Sequence, residues 1–529
     1  MIVPLTPIRF LYRGVDLFGK KIGVVSGAKR FTYAEFGARA ERLASGLRTL
    51  GIRPGERVAY LSFNNHQLLE GYYGVVMAGA IVMPLNVRLT PPELIGILNH
   101  SGARVLIFEN DFAPLIEALR KACPAIEHFV TADDKIPVAS TTYEELLALG
   151  RPERVDYTLI DENSIAELFY TSGSTGRPKG VMLSHRTLYL HGMAVAATFN
   201  REDNAVELHT IPLFHANGWG RPQTAPMMGV KQVMVRRFEP TTVFRLIQEE
   251  RATTMSVVPT MANALLNAPD LGQYDFSSLT QIHIGGAAAS PELVERMERA
   301  FPCKVMAGYG LTETSPVATS SRDKCTVIYT DEADRIHHQA MAGWPLPGCE
   351  IRVVDLQMKD VPRDMASIGE VVIRGDNVMD GYYKDPAGTA EVMTDGWLHT
   401  GDMAVWDEEN YIHIVDRKKD IIISGGENIS SIEVEKAIFA HPAVFECAVV
   451  SAPDAKWGEI PVAFVVVKPG HKLTQDEMCA FLQERIARFK IPRAVEFVEG
   501  ALPKTGTGKI IKRELRERFW VGKERRVQG

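Results

Sequence analysis

Between residues 55 and 110 short apolar runs alternate with amphipathic stretches: RVAYLSFNN, HQLLEGYYGVVMAGA, IVMPLN, PPELIGILNHSG and ARVLIFEN. Strand-length apolar runs separated by helical segments predict βαβ units and a largely parallel sheet. Thr90 followed by Pro91 reads as a helix cap with proline in the first turn. The alternation resumes at AELFYTSG, TTMSVVPT, QIHIGGAAA and KVMAGYG, with Ser290 and Pro291 opening a helix between the last two. With 529 residues the chain is long enough for several subdomains, and no repeat of short period is visible.

From about residue 340 to 415 the texture changes to Gly, Asp and turn signals between short strands, as in GEVVIRGDNVMDGYY and DGWLHTGDMAVWDEENYIHIV. This predicts a small antiparallel, β-barrel-like subdomain. After DRKKD comes a compact α+β pattern: helix SSIEVEKAIF, strands FECAVVSAP and VAFVVVKPG, helix DEMCAFLQERIARF, then AVEFVEG. Ser430 and Glu433 have the spacing of a capping box. The charged segment from Asp416 to Asp420 is the expected boundary, giving domains 1–416 and 417–529. The expected fold class is α/β: a large N-terminal domain of mixed and parallel sheets sandwiched by helices, the barrel-like subdomain, and a small mobile α+β C-terminal domain.

A formal charge of −6 argues against a nucleic-acid partner bound through a broad basic face. Cys123, Cys303, Cys325, Cys349, Cys447 and Cys479 form no CxxC pair and read as small apolar core residues of a reducing compartment. The N-terminus has no h-region, and no window approaches 18 uninterrupted apolar residues. A cytoplasmic protein without an integral membrane segment is expected.

The stretch YTSGSTGRPKG, residues 170 to 180, follows an apolar run. Glycines let backbone N–H groups converge on an anion, hydroxyls add donors, and Lys179 supplies a point charge suited to phosphate. A phosphate-binding loop is the natural reading, with a polar surface turn as the alternative. The stretch is neither GxxxxGK[ST] nor a GxSxG nucleophile elbow, and GTGKI at 506–510 lacks the hydroxyl after its lysine. GYGLTE at 308–313 half-matches GxGxxG but ends in Glu313. No HExxH or clustered Cys/His set points to zinc. In GYGLTET, Tyr309 could stack a base, Thr312 donate to a phosphate and Glu313 hold Mg²⁺. Asp402 in HTGD could accept from ribose hydroxyls, and Lys509 sits on the glycine-rich PKTGTGK. Each of these alone is also an ordinary turn or a solvated charge.

Taken in order, YTSGSTGRPKG, LFHANGW, IGGAAAS, GYGLTET, DGWLHTGD, VDRKKDIIISGGENIS and PKTGTGK resemble the adenylate-forming superfamily of acyl-CoA synthetases, nonribosomal peptide adenylation domains and luciferases. The resemblance covers nearly the whole chain. It implies that a carboxylate attacks the α-phosphate of ATP, and that a thiol then attacks the resulting acyl-adenylate. Such chemistry needs charge neutralised around an in-line phosphoryl centre. By the same resemblance Thr171, Ser172, Gly173, Ser174, Thr175, Gly176 and Lys179 hold the β- and γ-phosphates, with Thr171 and Glu313 at Mg²⁺. Tyr309 stacks adenine against the wall made by Gly286 and Ala287, Thr312 donates to the α-phosphate, and Asp402 and Arg417 contact ribose. Lys509 bridges substrate carboxylate and α-phosphate, and with Thr312, Glu313 and His215 it forms the implied catalytic set. Lys419 matches the hinge about which the small domain turns between half-reactions, and Gly425 and Gly426 match the pantetheine tunnel.

Amino-acid-activating members carry aspartate after the Phe of LFHANGW, where this chain has His215, so an α-amino acid is disfavoured. His215, Trp219 and Gly285 are the expected acid-pocket residues. An inward Trp219 shortens the channel, whereas a core-packed Trp219 says nothing of it. The implied cofactors and co-substrates are ATP, Mg²⁺ and coenzyme A, and the implied partner is a short- or medium-chain fatty acid or related apolar carboxylic acid. An aryl acid such as benzoate, a carrier-protein acyl-AMP ligase and a noncatalytic nucleotide-binding regulator are the alternatives; members are often homodimers. Lys509→Ala should lose roughly 10²- to 10³-fold in adenylate formation, the effect of removing one electrostatic donor. It should still make thioester from supplied acyl-adenylate, which single-turnover assays of each half-reaction check.

Overall fold

The computed structural model describes residues 2–172, 178–199, 201–425, 427–504 and 510–520. The opening alternation folds as its pattern requires. Arg57–Leu61 pairs in parallel with Ile81–Pro84 on one side and Val105–Phe108 on the other. The returns are helices His66–Met77 and Pro91–Ser101. The second helix starts where it does because the Glu93 carboxylate accepts from the Thr90 N–H at 2.8 Å and the Thr90 hydroxyl at 2.7 Å. Pro91 occupies a first-turn position that needs no N–H.

These strands belong to an eight-stranded sheet ordered Gly381–Tyr382, Pro178–Ser184, Ile165–Ser172, Ile81–Pro84, Arg57–Leu61, Val105–Phe108, His128–Thr131, Thr141–Thr142. Only the first two ladders are antiparallel. A second sheet of nine strands runs Trp344–Pro345, Val317–Ser320, Lys304–Gly310, Gln281–Ile284, Thr254–Val257, Val206–His209, Lys231–Met234, Ile22–Ser26, Lys29–Thr32. Its six central strands are parallel and its edge strands antiparallel, a common way to finish a doubly covered sheet.

Helix His66–Met77 is buried along its whole length, as its apolar residues on every face demand. Two tyrosines and a glutamate among its polar groups find partners inside. The Tyr72 and Tyr73 hydroxyls donate to the carbonyls of Leu213 and Pro222, both at 2.6 Å, and Glu70 pairs with Arg39 Nε at 2.6 Å. The tyrosines thereby pin both ends of the segment that contains His215 and Trp219.

A smaller sheet holds Cys349–Val354, Gly369–Gly375, Trp397–Trp406, Met393–Thr394 and Ile412–Arg417. It is the small sheet expected over 340–415, with antiparallel ladders along Trp397–Trp406. The C-terminal sheet is ordered Glu427–Ile429, Ile422–Ser424, Gly458–Val467, Val444–Asp454, with Ala494–Phe497 parallel to Gly458–Val467. Helices Ser431–Phe439 and Gln475–Gln483 cover one face and Lys512–Trp520 the other.

Three local details differ from expectation. The helix expected over DEMCAFLQERIARF ends at Gln483, and a separate turn spans Arg488–Lys490; Ile491, before Pro492, is held extended. Ser430 Oγ accepts from the Glu433 N–H at 3.1 Å, but the Glu433 carboxylate takes Lys490 Nζ at 2.7 Å instead of completing the box. Cys325 is exposed, while Cys123, Cys349 and Cys447 are buried.

By compactness the chain divides into one unit of residues 1–351, 373–398 and 409–411 and another of 352–372, 399–408 and 412–529. The boundary expected at 416/417 falls within the second. No helix among the described residues is long and apolar enough to cross a membrane.

Inside the larger unit lies a buried charge cluster. Glu207, on strand Val206–His209, pairs with Arg201 and lies 3.9 Å from Arg221 Nε, and all three are at most 9% exposed. Removing the one anion strands two buried cations. Glu207→Ala should therefore cost about 3–5 kcal/mol in urea unfolding, whereas a surface pair such as Arg245–Glu249 should cost little when broken.

Candidate functional site

The two ends of the donor-rich stretch lie on antiparallel strands Ile165–Ser172 and Pro178–Ser184. Gly173, Ser174, Thr175 and Gly176 lie outside the described residues, as does the Ser172 side chain. Thr171 and Lys179 are direct cross-strand partners, so hydroxyl and ammonium share one face of the ladder. Lys179 Nζ lies 4.5 Å from the centroid of the Tyr382 ring, and the Tyr382 hydroxyl donates to Glu313 Oε1 at 2.9 Å. The Met379 N–H donates to the Glu313 carbonyl at 2.8 Å. Lys179 and Glu313, separated by 134 positions in sequence, are thus neighbours of one tyrosine.

GYGLTET begins in strand Lys304–Gly310 and continues into a turn over Thr312–Thr314. A side chain at Gly310 would put its Cβ 1.8 Å from the Pro316 carbonyl, so only glycine lets the neighbouring strand pass. Tyr309 is partly exposed at this strand's C-terminal end. The turn is tied by Thr314, whose Oγ1 accepts from the Leu311 N–H at 2.9 Å, and Thr312 lies half-exposed on it.

Gly286 and Ala287 are exposed just beyond the adjacent parallel strand Gln281–Ile284. A Cβ on the preceding Gly285 would lie 2.9 Å from the Trp219 ring. The outer edge of the Trp219 indole therefore abuts the glycine step, and Trp219 is only partly buried. Its backbone is unusual: Ala216, Asn217, Gly218, Trp219 and Gly220 all have positive φ, from 41° to 75°. A run of left-handed residues costs roughly 1–2 kcal/mol per non-glycine residue and persists only where surroundings impose it. Asn217 supplies that constraint. Its Oδ1 accepts from the Gly220 N–H at 2.6 Å and its Nδ2 donates to Glu167 at 3.1 Å, while Gln223 Nε2 donates to the other Glu167 oxygen at 2.7 Å. Burial pushes the Glu167 carboxyl up to about 8, against which the two amide donors pull. His215 opens this turn and is exposed.

The remaining expected residues belong to the second unit. Asp402 and Arg417 are cross-strand partners whose Oδ1 and Nε meet at 2.6 Å, with Asp402 buried. Lys419 follows two residues later, exposed, its ammonium pKa lowered chiefly by desolvation. Arg516 on the last helix donates to the Lys419 carbonyl at 2.8 Å and to Asp420 at 2.7 Å. Gly425 closes strand Ile422–Ser424, its N–H donating to the Trp457 carbonyl at 2.8 Å. Gly426 and Lys509 lie outside the described residues.

The family model described as AMP-binding enzyme matches residues 12–383, and that described as AMP-binding enzyme C-terminal domain matches 433–509. The chain is 40% identical over 519 residues to a long-chain-fatty-acid–CoA ligase of Thermus thermophilus, covering 96% of this chain and 95% of the relative. It is 37% identical to 4-hydroxybutyrate–CoA ligase 2 of Metallosphaera sedula, covering 97% and 94%. ATP-bound MatB from Rhodopseudomonas palustris superposes with a TM-score of 0.85 at 28% identity, covering 98% and 99%. The chain belongs to the AMP-binding enzyme family. Within it, the chain is an ATP-using, AMP-forming acid–thiol ligase.

Two residues escaped the sequence reading. Glu167 had a visible signal, a carboxylate in the middle of an apolar run, although its partners 50 and 56 positions away had none. Tyr382 had no signal beyond its place in DGYYK. The Glu313 side chain fits a Mg²⁺ role: among the described residues Tyr382 alone bonds its carboxylate, and no group of three acidic, His or Cys ligands forms there. A single protein carboxylate suits a Mg²⁺ that is otherwise held by phosphates and water.

Because the folded Glu167 carboxyl titrates above the unfolded value near 4.5, its contribution is full below that value and is lost as pH rises toward about 8. Glu167→Gln, neutral throughout, should flatten the fall in stability between those limits, as urea midpoints measured across the range will show.

Proposed function

We propose that this ligase activates a short- or medium-chain apolar carboxylic acid and passes it to coenzyme A. In the first half-reaction a carboxylate oxygen bonds to the α-phosphorus, the bond from that phosphorus to the β-phosphate bridging oxygen breaks, and pyrophosphate leaves. In the second the thiol sulfur bonds to the acyl carbon and AMP leaves with the electron pair, the thiol proton passing to solvent. The nucleophile and leaving group of the first step are both anionic, so fixed positive charge and aimed donors are what the protein must supply.

Lys179 and the hairpin bind the departing pyrophosphate end, Thr312 donates to the α-phosphate, and Tyr309 with Gly286 and Ala287 holds adenine. Asp402 accepts from ribose hydroxyls beside Arg417. Mg²⁺, held through Glu313 and Thr171, would neutralise phosphate charge. Lys419 is the hinge between domains 1–416 and 417–529, Lys509 serves adenylation, and Gly425 and Gly426 border the pantetheine path.

The observation that carries the substrate reading is the Trp219 indole lying on Gly285. Placed there, beside the glycine step proposed to border the adenylate, it is an apolar end wall for the acid. His215 beside it puts no fixed anion where an α-ammonium would need one. Both halves of the active-site strand set fit an acid whose recognition is apolar contact and whose reactivity lies in its carboxylate.

Pyrophosphate release and thioester formation, measured from acetate to dodecanoate and with benzoate, with and without CoA, test this. Release should precede CoA, thioester should require it, and kcat/KM should peak among short and medium chains. Trp219→Ala should shift the peak to longer acids by roughly 10-fold or more in relative kcat/KM, the worth of one or two methylenes. A benzoate maximum would assign the aryl alternative, and an unmoved peak would place the wall elsewhere.

A further inference from the structure

Lys179 and Glu313 are opposite charges beside the same side chain, and no direct ion pair closes between them. Tyr382 stands in the way. Its ring takes the ammonium at 4.5 Å from the centroid, and its hydroxyl takes Glu313 Oε1 at 2.9 Å. The ring is held by three independent restraints. Tyr382 is the ladder partner of Val181, which makes Lys179 its diagonal neighbour on the same face. The Tyr382 N–H donates to Thr389 Oγ1 at 2.8 Å. The side chain is buried, with its hydroxyl donating to the carboxylate. The same short segment fixes the other end of Glu313 through the Met379 N–H at 2.8 Å.

We propose that Tyr382 is a positioning residue that separates the Lys179 ammonium from the Glu313 carboxylate and aims that carboxylate at the divalent cation carried by ATP. A direct ion pair would have to be broken before phosphate and cation could enter. The face of an aromatic ring holds an ammonium more weakly than a carboxylate does, and it can release the cation to a phosphate at small cost. A phenol donor on one carboxylate oxygen leaves the second oxygen directed and available, the task that outer partners of metal ligands perform. The ring thus serves the pyrophosphate end and the hydroxyl serves the cation. The proposal rests on Glu313 as the cation ligand.

The full chain, α,β-methylene-ATP and Mn²⁺ as an electron-paramagnetic probe separate these roles. Tyr382→Phe keeps the ring and loses the hydroxyl. It should weaken Mn²⁺ binding to the chain–nucleotide complex by about 10- to 100-fold, with nucleotide affinity in EDTA and the thermal midpoint unchanged. Tyr382→Leu, which also loses the ring, should weaken nucleotide affinity in EDTA as well. Glu313→Gln is the control for the underlying reading. Wild-type Mn²⁺ affinity in Tyr382→Phe, with Glu313→Gln impaired, overturns the role of Tyr382 and leaves the ligand standing. Equal loss of metal-bound and metal-free nucleotide in Tyr382→Phe reduces the residue to packing. Unchanged Mn²⁺ affinity in Glu313→Gln removes the ligand and the proposal together.

Discussion

Parallel strands all end at one edge, and that constraint places the residues proposed for nucleotide and acid in the larger unit. In the nine-stranded sheet Lys304–Gly310, Gln281–Ile284 and Val206–His209 run the same way, so Leu311–Thr314, Gly285–Ala287 and the 214–219 segment all follow C-terminal strand ends. Open α/β sheets bind ligands outside those ends because loops there are free to carry chemistry while the strands stay rigid. The hairpin Ile165–Ser184 belongs to the other sheet, yet its tip likewise continues a strand that runs parallel to its inner neighbour.

Strands, helices and the local backbone of the described site motifs were legible in the sequence for a simple physical reason: they depend on local pattern. Helix Pro91–Ser101 announces itself by Thr90, Pro91 and Glu93, and the parallel strands by apolar runs too short to be anything else. Nucleotide-site motifs were equally legible, since GYG and GG are short-range statements about backbone clearance. What was not legible is pairwise and distant. Nothing in the sequence joins Tyr382 to Glu313 across 69 positions, or Asn217 to Glu167 across 50. The incomplete capping box at Ser430 fails for the same reason, since Lys490, which takes the carboxylate, lies 57 positions away.

At Lys179 and Glu313 two charged groups are held by a neutral one. Tyr382 stands between Lys179 and Glu313. Neutral partners orient a charge without cancelling it. Around a phosphoryl centre that distinction matters, because a cancelled lysine or glutamate contributes little field to the reacting atoms. The buried Arg201–Glu207–Arg221 cluster, where charges do meet directly, lies in the core and serves packing.

The left-handed turn at 216–220 also limits how the proposed acid pocket can diverge. With φ at +62°, position 219 admits glycine, asparagine or an unbranched side chain far more readily than valine or isoleucine, whose branched Cβ collides with its own backbone in that region. Descendants of this enzyme can therefore reach new acids through one-step changes in the bulk of that side chain, from indole to methyl to hydrogen. The β-branched residues that commonly trim pockets elsewhere are closed to them, so neighbouring positions such as Gly285 would have to carry finer adjustments.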